Sequence, residues 1–205
     1  MTARYQDLLF SPAVQAVQEA MGSREAYGRA PAADGPDLLT GQEAAFIAAR
    51  DSFYLASVGH GGWPYVQHRG GPPGFVKVIG PGLLAFADFR GNRQYISVGN
   101  LAGDDRVALF FMDYANRARL KLLGRMRVED TDGSLRAAVA DETYRGRIER
   151  ILTVRVEAFD WNCPQYITPR YTAGDIAPLL QRMQARIDTL EAALAERGAA
   201  VPDRA

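Results

Sequence analysis

Four segments hold the residue types in this sequence that can do chemistry. The first is Gln67-His68-Arg69-Gly70-Gly71-Pro72-Pro73-Gly74-Phe75. Paired glycines let a backbone approach a flat ligand closely, and prolines stiffen that approach. Arg69, at a strand end, can grip a phosphate or a ring carbonyl with two N–H groups; the alternative is a surface loop with a solvated arginine. The second segment, Phe86-Ala87-Asp88-Phe89-Arg90-Gly91-Asn92-Arg93-Gln94, runs from a strand into an expected helix over 94–100. A helix start offers free N–H groups and a partial positive charge, and Asn92, Arg93 and Gln94 add donors there, which suits an anion. A polar helix start with an exposed arginine is the competing reading. The third is the basic strand Arg117-Ala118-Arg119-Leu120-Lys121, continuing through Gly124-Arg125-Met126-Arg127. Alternation puts Arg117, Arg119 and Lys121 on one face, either a solvated sheet face or a source of phosphate ligands. In the fourth, Asp160-Trp161-Asn162-Cys163-Pro164-Gln165-Tyr166-Ile167, the two aromatic rings can wall a planar ligand or cap the fold. Cys163 is there a reactive thiol or a packed one.

Several chemistries find no support. There is no G-x-x-x-x-G-K-[ST], no G-x-G-x-x-G and no G-x-S-x-G in the chain, which leaves a P-loop, a dinucleotide fingerprint and a nucleophile elbow without their motifs. His60 and His68 both sit beside glycine-rich turns, and the carboxylates form no compelling pair, so no catalytic residue is identified. Two histidines and one cysteine make a Cys/His zinc site unexpected, and no metal is anticipated. The 24 basic and 24 acidic side chains cancel, which argues against a nucleic-acid partner. The longest apolar run of the central region, Val107 to Met112, is a strand length and not a membrane span. With a single cysteine and no signal-like start, the expected compartment is the cytoplasm.

These segments need a framework. At 205 residues and 47% hydrophobic, the chain fits one domain with terminal additions. Ser11, Pro12 and Gly22 bracket a helix over 12–21, and Thr40 with Glu43 reads as a capping box opening a second. From residue 53 the texture becomes β. Strands are expected over 53–58, 63–69, 75–79, 83–89, 107–114, 120–128 and 151–159, joined by glycine- and proline-rich turns, with a short helix over 135–141. Seven strands with short turns point to an antiparallel barrel, in which closure would remove exposed edges. A last helix over 175–197 carries Ile176, Leu180, Met183, Ile187, Leu190 and Leu194, spaced four and three apart. That is a heptad seam for a second helix or a stripe for its own barrel; in a parallel pair Arg186 and Glu191 would face each other as g and e′.

In order and combination, QHRGGPPGFVKV, FADFRGNRQYISVGNL, VALFFMDY with RLKLLGRMRV, and WNCPQYI resemble the FMN-binding split-barrel proteins of the pyridoxamine 5′-phosphate oxidase-like family, most of all its flavin-nucleotide-binding branch. The likeness covers about residues 40–167. It implies a mainly β fold with flanking helices: N-terminal helix and loop over 1–39, an FMN-binding split β-barrel over 40–168, and a heptad-patterned helix and tail over 169–205. It further implies one FMN per subunit in a cleft shared by a homodimer. Transferred by position, His68, Arg69 and Gly70 would lie along the flavin. Phe86, Ala87 and Asp88 would touch its ring or ribityl chain. Asn92, Arg93 and Gln94 would form the phosphate turn, supported by Ser97 and Asn100. The family's turn often reads Arg-Lys where this chain has Arg93-Gln94, so Lys77, Arg119 or Lys121 would supply the missing charge. The resemblance implies an FMN-dependent oxidoreductase, with a non-catalytic flavin-binding protein as the alternative and haem or a deazaflavin as rarer occupants of the fold.

Overall fold

The computed structural model describes residues 1–28, 34–131, 133–141, 144–161 and 163–198. The expected Asn162 falls outside them. Seven antiparallel strands form one sheet in the order β2-β1-β5-β6-β7-β4-β3. They are β1 Ser52–Val58, β2 Pro64–Gly70, β3 Val76–Gly80, β4 Leu83–Phe89, β5 Arg106–Asp113, β6 Ala118–Glu129 and β7 Ile148–Trp161. The period of two in the sequence is the cause. Phe53 and Leu55 of β1, Leu109 and Phe111 of β5, and Leu120, Leu122, Gly124 and Met126 of β6 are buried, while the residues between them are not.

Aromatic contacts show that the sheet curls on itself. Three strands separate β1 from β4 in the sheet order, yet the Phe53 and Phe86 rings meet edge-to-face at 5.2 Å. Phe53 also stacks with Phe111 at 5.0 Å and with Phe75 at 5.8 Å, so one buried phenylalanine cluster fills the barrel. Curvature is concentrated where β6 meets β7. Their register shifts between Leu123 and Gly124, and a Cβ on Gly124 would come within 2.6 Å of the Arg155 carbonyl oxygen. Only glycine permits that approach.

Backbone closure, expected to remove the edges, is not what the described residues show. β2 and β3 are the two ends of the hydrogen-bonded order. Side chains span the opening instead: Arg69 of β2 forms an ion pair with Asp88 of β4. Gly71, just after β2, also serves the fold, because a Cβ on it would meet the Phe75 ring at 2.6 Å.

Helices sit around this barrel. α1 (Ala3–Leu9) was not expected: it is one short run that buries only Tyr5. Thr2 caps it, and Asp37 accepts from both the Thr2 hydroxyl (2.5 Å) and the Phe159 N–H (3.0 Å), tying this region to β7. α2 (Pro12–Ala20) starts at the expected Ser11 cap and buries nothing. α3 (Gly41–Ala48) opens on the expected box: the Glu43 carboxylate accepts from the Thr40 N–H at 2.9 Å and also from Trp161 Nε1 at 2.6 Å. Burial works to raise the Glu43 pKa, but these hydrogen bonds outweigh it and hold the carboxyl below its ordinary value. α4 (Ile96–Asn100) is shorter than expected, α5 spans Ser134–Val139, and α6 (Ala173–Glu196) buries none of its residues. Among the described residues no helix is long and apolar enough to cross a membrane.

Candidate functional site

A cavity of about 200 Å³ opens between β2, the turn after β4, α4 and the start of β7. β2 supplies Tyr65, Gln67 and Arg69, which alternation sends to one face. Across the opening β4 supplies Asp88 and the following turn supplies Asn92, Arg93, Gln94 and Tyr95. Arg93 (φ 63°) and Tyr95 (φ 54°) both sit in the left-handed region that non-glycine residues rarely adopt. The turn is therefore held in a costly shape at the mouth of the cavity. It also displaces the expected helix start: Ile96 is the first helical residue, so Asn92, Arg93 and Gln94 form a loop and not the first turn of a helix. Asn92 stabilises the loop by accepting from the Gln94 N–H at 3.2 Å.

Charge is unevenly matched here. Asp88 takes Arg69 on one oxygen and Arg150, its direct cross-strand neighbour, on the other at 3.2 Å. Glu149 is shared by Arg150 at 3.2 Å, Arg90 at 3.7 Å and the Tyr95 hydroxyl at 3.2 Å. Arg93 Nε donates to the Tyr95 oxygen at 3.2 Å, and the Arg150 guanidinium lies 4.4 Å from the centre of the same ring. Four guanidiniums thus surround two carboxylates. Moreover, Arg69 Nε is buried with no hydrogen-bond partner among the described residues. A buried donor without a partner is costly.

Of the residues expected at the site, Arg69, Asp88, Asn92, Arg93, Gln94 and Ser97 line this cavity. Ser97, almost fully buried, donates to Gln67 at 2.9 Å, and Asn100 donates to Ser57 at 2.9 Å, so α4 is pinned to β2 and β1. Asn100 acts behind the cavity and does not line it. Other expectations are not brought together. His68 points to the opposite face of β2 and meets the Tyr54 ring edge-on at 5.7 Å. Gly70 lies past the cavity at the exposed strand end, packed near the His68 ring. Phe86 is wholly buried in the barrel core, and Ala87 faces the other way into a smaller cluster with Val139 and Ile151.

Lys121 is on the outer sheet face, bound to Asp160 at 2.7 Å and 5.1 Å from the centre of the Tyr5 ring. It lines a second, larger cavity of about 520 Å³, with Tyr54, Phe110, Met112, Tyr114, Arg119 and Ile167. Cys163 and Tyr166 of the fourth segment are exposed, whereas Trp161 is spent on Glu43 and on the Phe46 ring at 4.8 Å.

Tyr95, Glu149 and Arg150 were not anticipated. Arg150 reaches the site only through the pairing of β7 with β4, 62 residues from Asp88, and no local pattern announces it. Tyr65 and Gln67 were within reach, since both share Arg69's parity on β2.

The cavity fits the phosphate end of a flavin mononucleotide: Arg69 and Arg93 line it with the polar Asn92 and Gln94, and Arg90 and Arg150 behind it engage the carboxylates of Glu149 and Asp88. It does not enclose a whole flavin. Pockets for complete cofactors run to roughly 300–1,000 Å³, so the ring would extend beyond it along the exposed edge of β2.

Comparison with known proteins bears on the same region. No curated protein matches the chain. HupZ of Group A Streptococcus shares the fold at 13% identity, covering 65% of this chain and 100% of its own, with a TM-score of 0.50. Weaker likenesses are an FMN-binding protein from Syntrophomonas wolfei subsp. wolfei (13% identity, 60% and 85% covered, TM-score 0.46) and HutZ, the heme storage protein from Vibrio cholerae (12%, 60% and 94%, 0.40). The sequence profile of the pyridoxamine 5′-phosphate oxidase family matches residues 39–159. That match takes in every strand of the barrel but the last two residues of β7, and it covers well over half of the 205 residues; the chain belongs to the pyridoxamine 5′-phosphate oxidase family.

Proposed function

We propose that the protein binds FMN with its phosphate in the cavity beside Arg69 and Arg93 and acts as an FMN-dependent oxidoreductase on a small molecule. The observation that carries this reading is the cluster of four guanidiniums around two carboxylates at the cavity, with Arg69 and Arg93 in its lining. Arg69 and Arg93 would bind the phosphate, the Asn92–Gln94 loop would orient it, and Ser97 and Asn100 would hold α4 behind it. A bound flavin supplies hydride and electron transfer. The protein's part is to position it.

The homodimer belongs to the same proposal. Tyr54, Val58 and Val66 leave an apolar patch open on the outer face of β1 and β2, from 38% to 62% exposed, and the larger cavity continues it over β5 and β6. Such patches mark interaction surfaces, and a second barrel on this face would cover the flavin ring extending from β2. The compartment we favour is the cytoplasm, where a lone exposed cysteine stays reduced.

The deciding experiment is the visible spectrum of the purified protein, followed by identification of any ligand released on denaturation. A flavin spectrum with about one FMN per subunit, reducible by NADH or NADPH, supports the proposal. A colourless protein that takes up no added FMN, or a haem spectrum, overturns the cofactor. Tight FMN that no nicotinamide donor reduces overturns the oxidoreductase reading and leaves a flavin carrier.

A further inference from the structure

α6 carries an apolar stripe that its own barrel leaves uncovered. Its 24 residues extend about 36 Å at the helical rise, and none is buried. Ile176, Leu180, Met183, Ile187, Leu190 and Leu194 remain 41–55% exposed. A helix packed on a barrel shows a broad stripe that follows the 3.6 period. A four-three alternation, widened here only by Leu179 at g, is the seam another helix covers, with Leu180, Ile187 and Leu194 at a and Ile176, Met183 and Leu190 at d. Pro178 falls at f, on the side away from the seam.

Charge on the flanks distinguishes the two possible orientations. Arg186 occupies g and Glu191 occupies e. In a parallel pair g faces e′ of the next heptad, so Arg186 meets Glu191 of the second copy. In an antiparallel pair g faces g′ and e faces e′, and no g or e position outside these two bears a charge to pair with them. The attachment of the helix agrees. Thr172 caps it, and Tyr171, Thr172 and Asp175 line a cavity with Met112 and Tyr114 at the end of β5. Met112 and Tyr114 also border the apolar outer face on which the two barrels are proposed to meet. For the two helices to run parallel, the two-fold axis of that face must lie along them.

We propose that α6 from two copies of this chain forms a parallel, in-register, two-stranded coiled coil that continues the barrel dimer. The proposal rests on barrel pairing for its strength. Three heptads are marginal for free helices, and tethering their starts supplies the effective concentration that free helices lack.

Cysteine cross-linking in the full-length chain tests it. In a Cys163→Ser background, Leu190→Cys places a thiol at d and Ala192→Cys places one at f. Mild oxidation should convert most of the Leu190→Cys protein to a covalent dimer and little of the Ala192→Cys protein. Adding Arg186→Glu to the Leu190→Cys chain should slow the reaction about two- to five-fold. Failure of Leu190→Cys to cross-link, or equal cross-linking by Ala192→Cys, overturns the proposal. Barrel pairing is read separately. Because α6 buries nothing, a chain ending at Gly174 should keep its fold, and its mass by sedimentation reports the barrels alone. A monomeric truncated chain combined with specific Leu190→Cys cross-linking refutes the barrel interface, and with it the claim that the coiled coil continues a barrel dimer, leaving the helices paired on their own.

Discussion

The cavity beside β2 and the larger one on the outer sheet face are each lined by one arginine whose Nε is buried without a partner among the described residues, Arg69 in the first and Arg119 in the second. Their surroundings differ. Around Arg69 the neighbours are other guanidiniums, two carboxylates and a polar loop. Around Arg119 they are tyrosines, Phe110, Met112 and Leu123, and the nearby cations already have partners: Lys121 on Asp160, and Arg170 stacked 4.8 Å from the Tyr114 ring centre. The three basic side chains of the outer cavity, Arg119, Lys121 and Arg170, do not make it the anion site. What matters is the charge left after pairing, together with a polar lining able to share it.

The largest test of this contrast is Arg69→Ala. It should cost about 2–3 kcal/mol of folding stability, because Asp88 stays buried with Arg150 alone, and should abolish tight FMN binding; thermal unfolding and flavin titration read the two effects. An unchanged flavin affinity would remove the smaller cavity from the cofactor site. Next, Arg93→Ala should weaken FMN by about 1.5–3 kcal/mol through loss of a charge-assisted hydrogen bond, with little change in melting temperature because Arg93 is exposed. Asp88→Asn sharpens the argument in the opposite direction. Removing one negative charge while retaining an acceptor should tighten inorganic phosphate or FMN by about five-fold, near 1 kcal/mol, at some cost in stability. Weaker binding would refute the surplus-charge explanation. The smallest effect belongs to the other cavity: Lys121→Ala should change FMN affinity by less than about 0.5 kcal/mol, measured by the same titration.

Much of the barrel was legible because strand alternation is local. Phe53, Leu55, Leu109, Phe111, Leu120 and Leu122 announce their face in the sequence and are buried. The Thr40–Glu43 box likewise carries its own geometry. What was hidden depends on pairing at long range. The last strand, expected over 151–159, extends to Ile148–Trp161 because it pairs with both β4 and β6 along its length. Arg150 and Glu149 enter the site through that extension. α1 was missed because seven residues burying one tyrosine give no periodic signal. Within the site, Arg69, Asp88 and the Asn92–Gln94 loop were recognisable as local motifs, whereas His68 was included against the alternation that placed Arg69 inward and His68 outward. Lys121 was chosen for its charge alone, and its partner Asp160 became evident only with the β6–β7 register.

The ion pair between Arg69 and Asp88 links a terminal strand of the sheet to the strand beside its other end. Its rupture would free β2, none of whose residues is buried, while the phenylalanine cluster still holds the other strands, so the barrel has an inexpensive partial opening well below global unfolding. Amide protons of β2 should therefore exchange with deuterium before those of β5, β6 and β7. A phosphate lodged against Arg69 would slow that exchange at the seam, so protection there would serve as a gauge of ligand occupancy that needs no chromophore.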